Sequence, residues 1–153
     1  VALFGLSVAM MAPVMAVARY LALRKRAVGR AMQGRVWKRV AARVGATDVR
    51  RERRILFDGV RAEIHPYDVT VERPGAAEAY DCKWGARGIN ADVLHQLDDA
   101  RTHAGEEDER LSVALVVFDA RLSCEVRLER QTAPVGGTGL ISLESLDRLA
   151  GRG

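Results

Sequence analysis

Cysteine, aromatic residues and lysine are all scarce in this 153-residue chain, and acidic residues are nearly missing from its first third. Two cysteines, Cys82 and Cys124, are too few for a disulfide scaffold. No internal repeat and no nucleotide-binding fingerprint occurs. Gly136-Gly137-Thr138-Gly139 lacks the Lys-Ser/Thr that a phosphate-binding loop needs, so it reads as a linker. Aromatics make up 5%, apolar residues 48% and charged residues 29%. That balance excludes disordered and collagen-like chains, and the length suits one domain. Only three lysines stand beside 21 arginines, and Lys83 is the sole lysine beyond residue 38.

The missing acids make the charge lopsided. Residues 1–54 hold 13 Lys and Arg against 2 Asp and Glu, a net of +11. Residues 55–153 hold 11 against 18, a net of −7, giving +4 for the whole chain. A uniformly basic nucleic-acid coat is thereby excluded.

Residues 1–18 carry no charge, and apolar residues 20–23 extend the stretch past Arg19. About 20 apolar residues span a bilayer core as a helix. Arg24, Lys25, Arg26, Arg30 and Arg35 follow, so the positive-inside rule would put the rest of the chain in the cytoplasm. The reading is a single-pass anchor over 1–23, tied to the cell membrane. A rival is a secretory signal, since Ala16-Val17-Ala18 resembles a cleavage site. A buried core helix is the third option. Residues 30–44 read as an amphipathic helix, with Val36, Trp37, Val40, Ala41 and Val44 on one stripe among basic residues. It serves either as the first helix of the domain or as a basic helix on anionic lipid. Residues 48–54 read as a charged connector. The resulting division is an anchor at 1–23, a basic helix and connector at 24–54, and a domain at 55–153.

Residues 53–84 read as an antiparallel meander of short strands, punctuated by Asp58-Gly59 and by Arg73-Pro74-Gly75-Ala76. Asp68 opens one strand, and Asp81 and Lys83 lie on the next. Alternate residues of a strand share a face, so Asp81 and Lys83 point together while Cys82 points to the core. If the two strands pair through the turn, Asp68 reaches the same cluster. Two carboxylates beside a lysine suit a hard divalent cation that keeps several waters. The alternative is a set of ordinary charges on a half-solvated sheet.

Pro66-Tyr67-Asp68, followed by Asp81-Cys82-Lys83, resembles the motif of the PD-(D/E)xK nuclease superfamily, which includes restriction enzymes, Holliday-junction resolvases and repair nucleases. The order helix 30–44, strands within 53–84, helix 91–104, strand 112–118 is similar to that family's core. The resemblance implies an α/β fold with a restriction-endonuclease-like mixed sheet flanked by helices, here preceded by a transmembrane helix. It implies that Asp68 and Asp81 bind Mg²⁺ or Mn²⁺, that Lys83 is the catalytic lysine, and that Cys82 lends only its backbone carbonyl. It further implies DNA as substrate. Many family members carry a glutamate on the first helix, yet residues 30–47 contain no acid. Glu63 or Glu52 could substitute, and Gln96 on the next helix is a further candidate. Without a third acid, a catalytically inactive binding or scaffold module at the membrane is the alternative to a membrane-anchored Mg²⁺-dependent endonuclease.

Asn90 is placed to cap the helix 91–104, whose buried stripe is Val93, Leu94, Leu97, Ala100 and Ala104. Arg87, in the loop before it, is positioned for a phosphate or simply for solvent. Residues 111–118 are a nearly continuous apolar run, expected as a central strand buried on both faces. Residues 120–131 alternate like a strand, but Asp119 as a cap and their Arg/Leu/Glu content favour a helix. Leu140-Ile141 reads as an edge strand, and Ser142 as the cap of a terminal helix.

Overall fold

The order of the sheet follows from its most apolar strand. Leu111–Val117 lies between a parallel partner on each side, and parallel pairing needs both faces covered. The computed structural model describes residues 2–54, 56–57, 60–61, 66–74, 76–105, 111–131 and 138–151. The chain divides into two units, Val1–Ala31 and Met32–Gly153.

The first unit belongs to α1, a continuous helix over Ala2–Val44. Met11, Val14, Met15, Val17, Tyr20, Leu21 and Leu23 on it are exposed. The transmembrane helix expected over 1–23 is not supported: among the described residues, no helix is long and apolar enough to cross a membrane. The reason lies in composition. From Met11 onward, Arg19, Arg24, Lys25 and Arg26 break the apolar run. Helix propensity does not notice this boundary. Alanine, methionine, leucine, arginine and lysine are all good helix formers, so one helix runs through it.

In the second unit the strands are β1 (Val49–Arg53), β4 (Tyr67–Arg73), β5 (Ala76–Lys83), β6 (Leu111–Val117) and β7 (Gly139–Ile141). They form one mixed sheet in the order β1-β4-β5-β6-β7. β1 and β5 flank β4 antiparallel, while β5-β6 and β6-β7 are parallel. β2 (Leu56–Phe57) and β3 (Val60–Arg61) make a separate antiparallel hairpin. The α/β class and the mixed sheet agree with expectation. Residues 49–53, expected as connector, are instead an edge strand; only Val49 of it is buried.

Helices cover both faces. On one side Met32, Val36 and Val40 of α1 pack on Val69, Val71, Tyr80, Cys82 and Val116. On the other, α2 (Ala91–Gly105) packs Val93, Leu94, Leu97 and Ala100 on Ala79, Val113, Leu115 and Val117. Each fully buried leucine here contributes about 2 kcal/mol of transfer free energy. Asn90 caps α2 as expected, its Oδ1 accepting from Val93 N at 3.0 Å. The ambiguous segment is a helix, α3 (Arg121–Glu129), but its N-cap is Ala120. Asp119 is diverted, accepting from Ala86 N at 2.8 Å as well as from Ala120 N. The terminal helix, Leu143–Ala150, is a 3₁₀ helix entered through Ser142.

Candidate active site

Asp68 sits where β4 changes sides. Tyr67 belongs to the α2-side core, whereas Val69 and Val71 belong to the α1-side core. Regular alternation would give all three one face. The β4-β5 ladder is regular from Arg73↔Ala76 to Val69↔Tyr80, and one further step places Asp68 opposite Asp81. At that step the Asp68 carboxylate takes part in the strand contact itself. Its Oδ2 accepts from the backbone N–H of Cys82 at 2.6 Å. Its Oδ1 accepts from Gln33 Nε2 on α1, also at 2.6 Å.

Asp81 is only 6% exposed. Lys83 Nζ lies 2.8 Å from Asp81 Oδ2, with the two side chains 29% and 8% exposed. Beyond this ion pair, the buried Asp81 Oδ2 accepts no further hydrogen bond among the described residues. The three residues of the motif are thus brought together, and Cys82 is buried behind them.

The electrostatics of the cluster are unbalanced. Burial, and then the charge and proximity of Asp81, push the Asp68 carboxyl up from 3.8 to about 6. Hydrogen bonds from Cys82 N and Gln33 oppose that shift without cancelling it. Burial also pushes the Cys82 thiol up, reinforced by both carboxylates. Two close, poorly hydrated carboxylates served by one lysine leave an anionic excess.

That excess fits a divalent cation such as Mg²⁺ or Mn²⁺. Mg²⁺ is commonly held by one or two carboxylates plus water, so two suffice. Among the described residues no group of three Asp, Glu, His or Cys could hold a metal. Glu63 lies outside the described residues. Glu52 is exposed on β1, with a left-handed φ of 51°. Gln96 is exposed on α2.

Two contributors escape a reading of the sequence. Gln33 is the only uncharged polar residue of 24–44, and it precedes Val36 and Val40 at i+3 and i+7. A lone glutamine on an apolar stripe is the available signal. Gly88 is the other. A Cβ there would stand 2.5 Å from Lys83 Cβ and 2.8 Å from its Cγ, so the turn at 86–88 presses directly on the lysine stem. That turn is fixed by Gly85, at φ 80°, by Asp119 accepting from Ala86 N, and by Phe118 N donating to the Lys83 carbonyl at 2.9 Å. In sequence, Gly88 looks like any loop glycine. No protein-family model, curated protein or solved structure matches this chain.

Proposed function

We propose that the protein is a divalent-metal-dependent phosphodiester hydrolase acting on DNA. The observation that carries this reading is the Asp68 carboxylate docked on the Asp81-Cys82-Lys83 strand, accepting from Cys82 N at 2.6 Å, with Lys83 Nζ 2.8 Å from the Asp81 carboxylate. Asp68 and Asp81 would hold the cation. Bound there, a divalent cation supplies Lewis acidity toward a phosphoryl oxygen and toward water. Gln33 and the Cys82 amide fix the Asp68 rotamer. The Lys83 ammonium has three N–H donors, and those not engaged with Asp81 can offset the charge that grows on phosphoryl oxygens as the phosphorus–oxygen bond breaks. The resemblance of Asp68…Asp81-Cys82-Lys83 to the PD-(D/E)xK motif supports the same assignment.

The test is plasmid cleavage by the full chain with Mg²⁺ and with EDTA. Nicking or linearisation that needs the metal and disappears in Asp81→Asn supports the reading. Intact plasmid under every metal condition overturns it. A second reading is a nuclease-like fold without catalysis, serving as a binding or scaffold module. Its specific support is Gln33, an uncharged amide touching Asp68 on the first helix, where the family resemblance leads one to expect a glutamate.

A further inference from the structure

The region beyond Lys83 carries a second chemical feature. Its chain passes through the turn 86–88 and lines a groove of about 450 Å³ against α3. Arg87, Arg127 and Arg130 stand around this groove, with Leu122 and Val126 as its apolar part and Ser123 beside them. Among the described residues no carboxylate lines it. This is conspicuous, because residues 55–153 hold 18 acids against 11 bases, and three of those bases meet here.

The arginines are not consumed by the fold. Arg87 and Arg130 are exposed, and among the described residues no ion pair engages either. Arg127 is anchored through Nε, which donates to the Ile89 carbonyl at 3.0 Å. That bond fixes the guanidinium at the groove while using one of its five N–H donors. The acid at position 125 on the same helix lies within 3.7 Å of Arg121 and is no part of the lining. The apolar part is also open. Leu122 is 70% exposed and Val126 39%.

We infer that this groove binds the sugar–phosphate backbone of DNA, with Arg87, Arg127 and Arg130 on phosphates and Leu122 and Val126 against deoxyribose carbons. The occupant follows from the chemistry of the lining: the anchored Arg127 fork and the exposed guanidiniums of Arg87 and Arg130 match phosphate oxygens, and an open apolar strip matches the hydrocarbon edge of the sugar. The inference rests on the nuclease reading, because Gly88 of the same turn touches Lys83. A strand held in the groove therefore runs one turn away from the lysine.

The experiment measures fluorescence anisotropy of a short labelled DNA duplex against the full chain in EDTA, across about 50 to 200 mM salt. Arg87→Ala and Arg130→Ala should each lower the slope of log K against log salt by about one. The double variant should bind about tenfold more weakly at the lower salt. Arg148→Ala removes the same charge from the 3₁₀ helix whose Leu146 and Leu149 lie in the opposite core, and should bind as wild type. Groove variants that bind like wild type overturn the inference. So does an equal loss in Arg148→Ala, or a wild type with no affinity for the duplex. Because EDTA removes the metal, binding is read apart from cleavage. Groove-dependent binding by a wild type that never cleaves in Mg²⁺ upholds the groove and sinks the hydrolase reading.

Discussion

Two polar clusters tie α1 to the sheet, and they are built on opposite principles. At the C-terminal end of α1, Arg43 donates to Glu78 through both terminal nitrogens, and Tyr80 OH donates to the same carboxylate at 2.5 Å. Arg43 and Tyr80 hold the Glu78 carboxyl below its ordinary range against the opposing effect of burial, and Glu78 in turn raises Arg43. Every charge there has its counterpart. Nearer the middle of α1, Gln33 reaches Asp68, but Asp81 doubles the negative charge and Lys83 answers only one of the two. The first cluster is satisfied and fixes the helix on the sheet. The second is held together by backbone geometry while its charges repel. Unbalanced, partly buried titratable groups of this kind mark places where something else binds.

The sharpest way to break the comparison is through activity. Lys83→Ala should lower plasmid cleavage by about a hundredfold or more while Mg²⁺ still binds by calorimetry. Asp81→Asn should instead weaken Mg²⁺ binding itself. Arg43→Ala should leave both properties alone and reduce folding stability by about 2 kcal/mol in urea denaturation, since it strands Glu78 without its partner. A cleavage defect in Arg43→Ala larger than that in Lys83→Ala would show that the two clusters have been assigned to the wrong tasks.

Stability against pH gives a smaller contrast with a definite sign. Asp68 holds its proton up to about 6 in the folded chain and to about 3.8 when unfolded. Its contribution is therefore fully present below about pH 4 and is lost as pH rises through 6. Glu78 behaves oppositely: its folded value is depressed, so its contribution is present at neutral pH and lost as pH falls through the carboxylate range. Asp68→Asn should accordingly raise metal-free stability at pH 7 by about 2 kcal/mol and remove the loss between pH 4 and 6. An unchanged urea midpoint at pH 7 would mean that the two carboxylates do not repel as described.

The smallest effect should come from Gly88→Ala. Lys83 Cβ cannot move without its backbone, so the added methyl must shift the turn or the end of β5, and cleavage should fall about tenfold with Mg²⁺ affinity unchanged. Equal loss of metal affinity would mean that the turn supports Asp81 and not only the lysine.

Much of this arrangement is legible in the sequence. The turn at 73–76 and the alternation on either side of it fix the β4-β5 register up to Val69↔Tyr80, which leaves Asp68 next to the strand of Asp81. The apolar run of β6 is readable because a strand buried on both faces needs no polar alternation. β1 is not readable, because Val-Arg-Arg-Glu-Arg has no apolar pattern; its place depends on hydrogen bonds to β4, which leave no trace in composition. The apolar start of α1 misleads for a related reason. Its hydropathy suggests a span, whereas among the described residues no helix is long and apolar enough to cross a membrane, and good helix formers carry α1 straight through Arg19 into the basic segment. The cap of α3 is displaced by one residue because Asp119 also serves the turn beside Lys83, a long-range contact that no local rule anticipates.

Cys82 gives the site an internal clock. Its thiol is buried and held protonated, while its amide is the donor that Asp68 Oδ2 accepts. The amide is freed when the end of the β4-β5 hairpin separates, and the thiol when α1 lifts from the sheet. Amide exchange and thiol labelling at this single residue therefore time two different openings. A cation bound between Asp68 and Asp81 would stitch the two strands together and slow the amide clock, with little effect on the thiol.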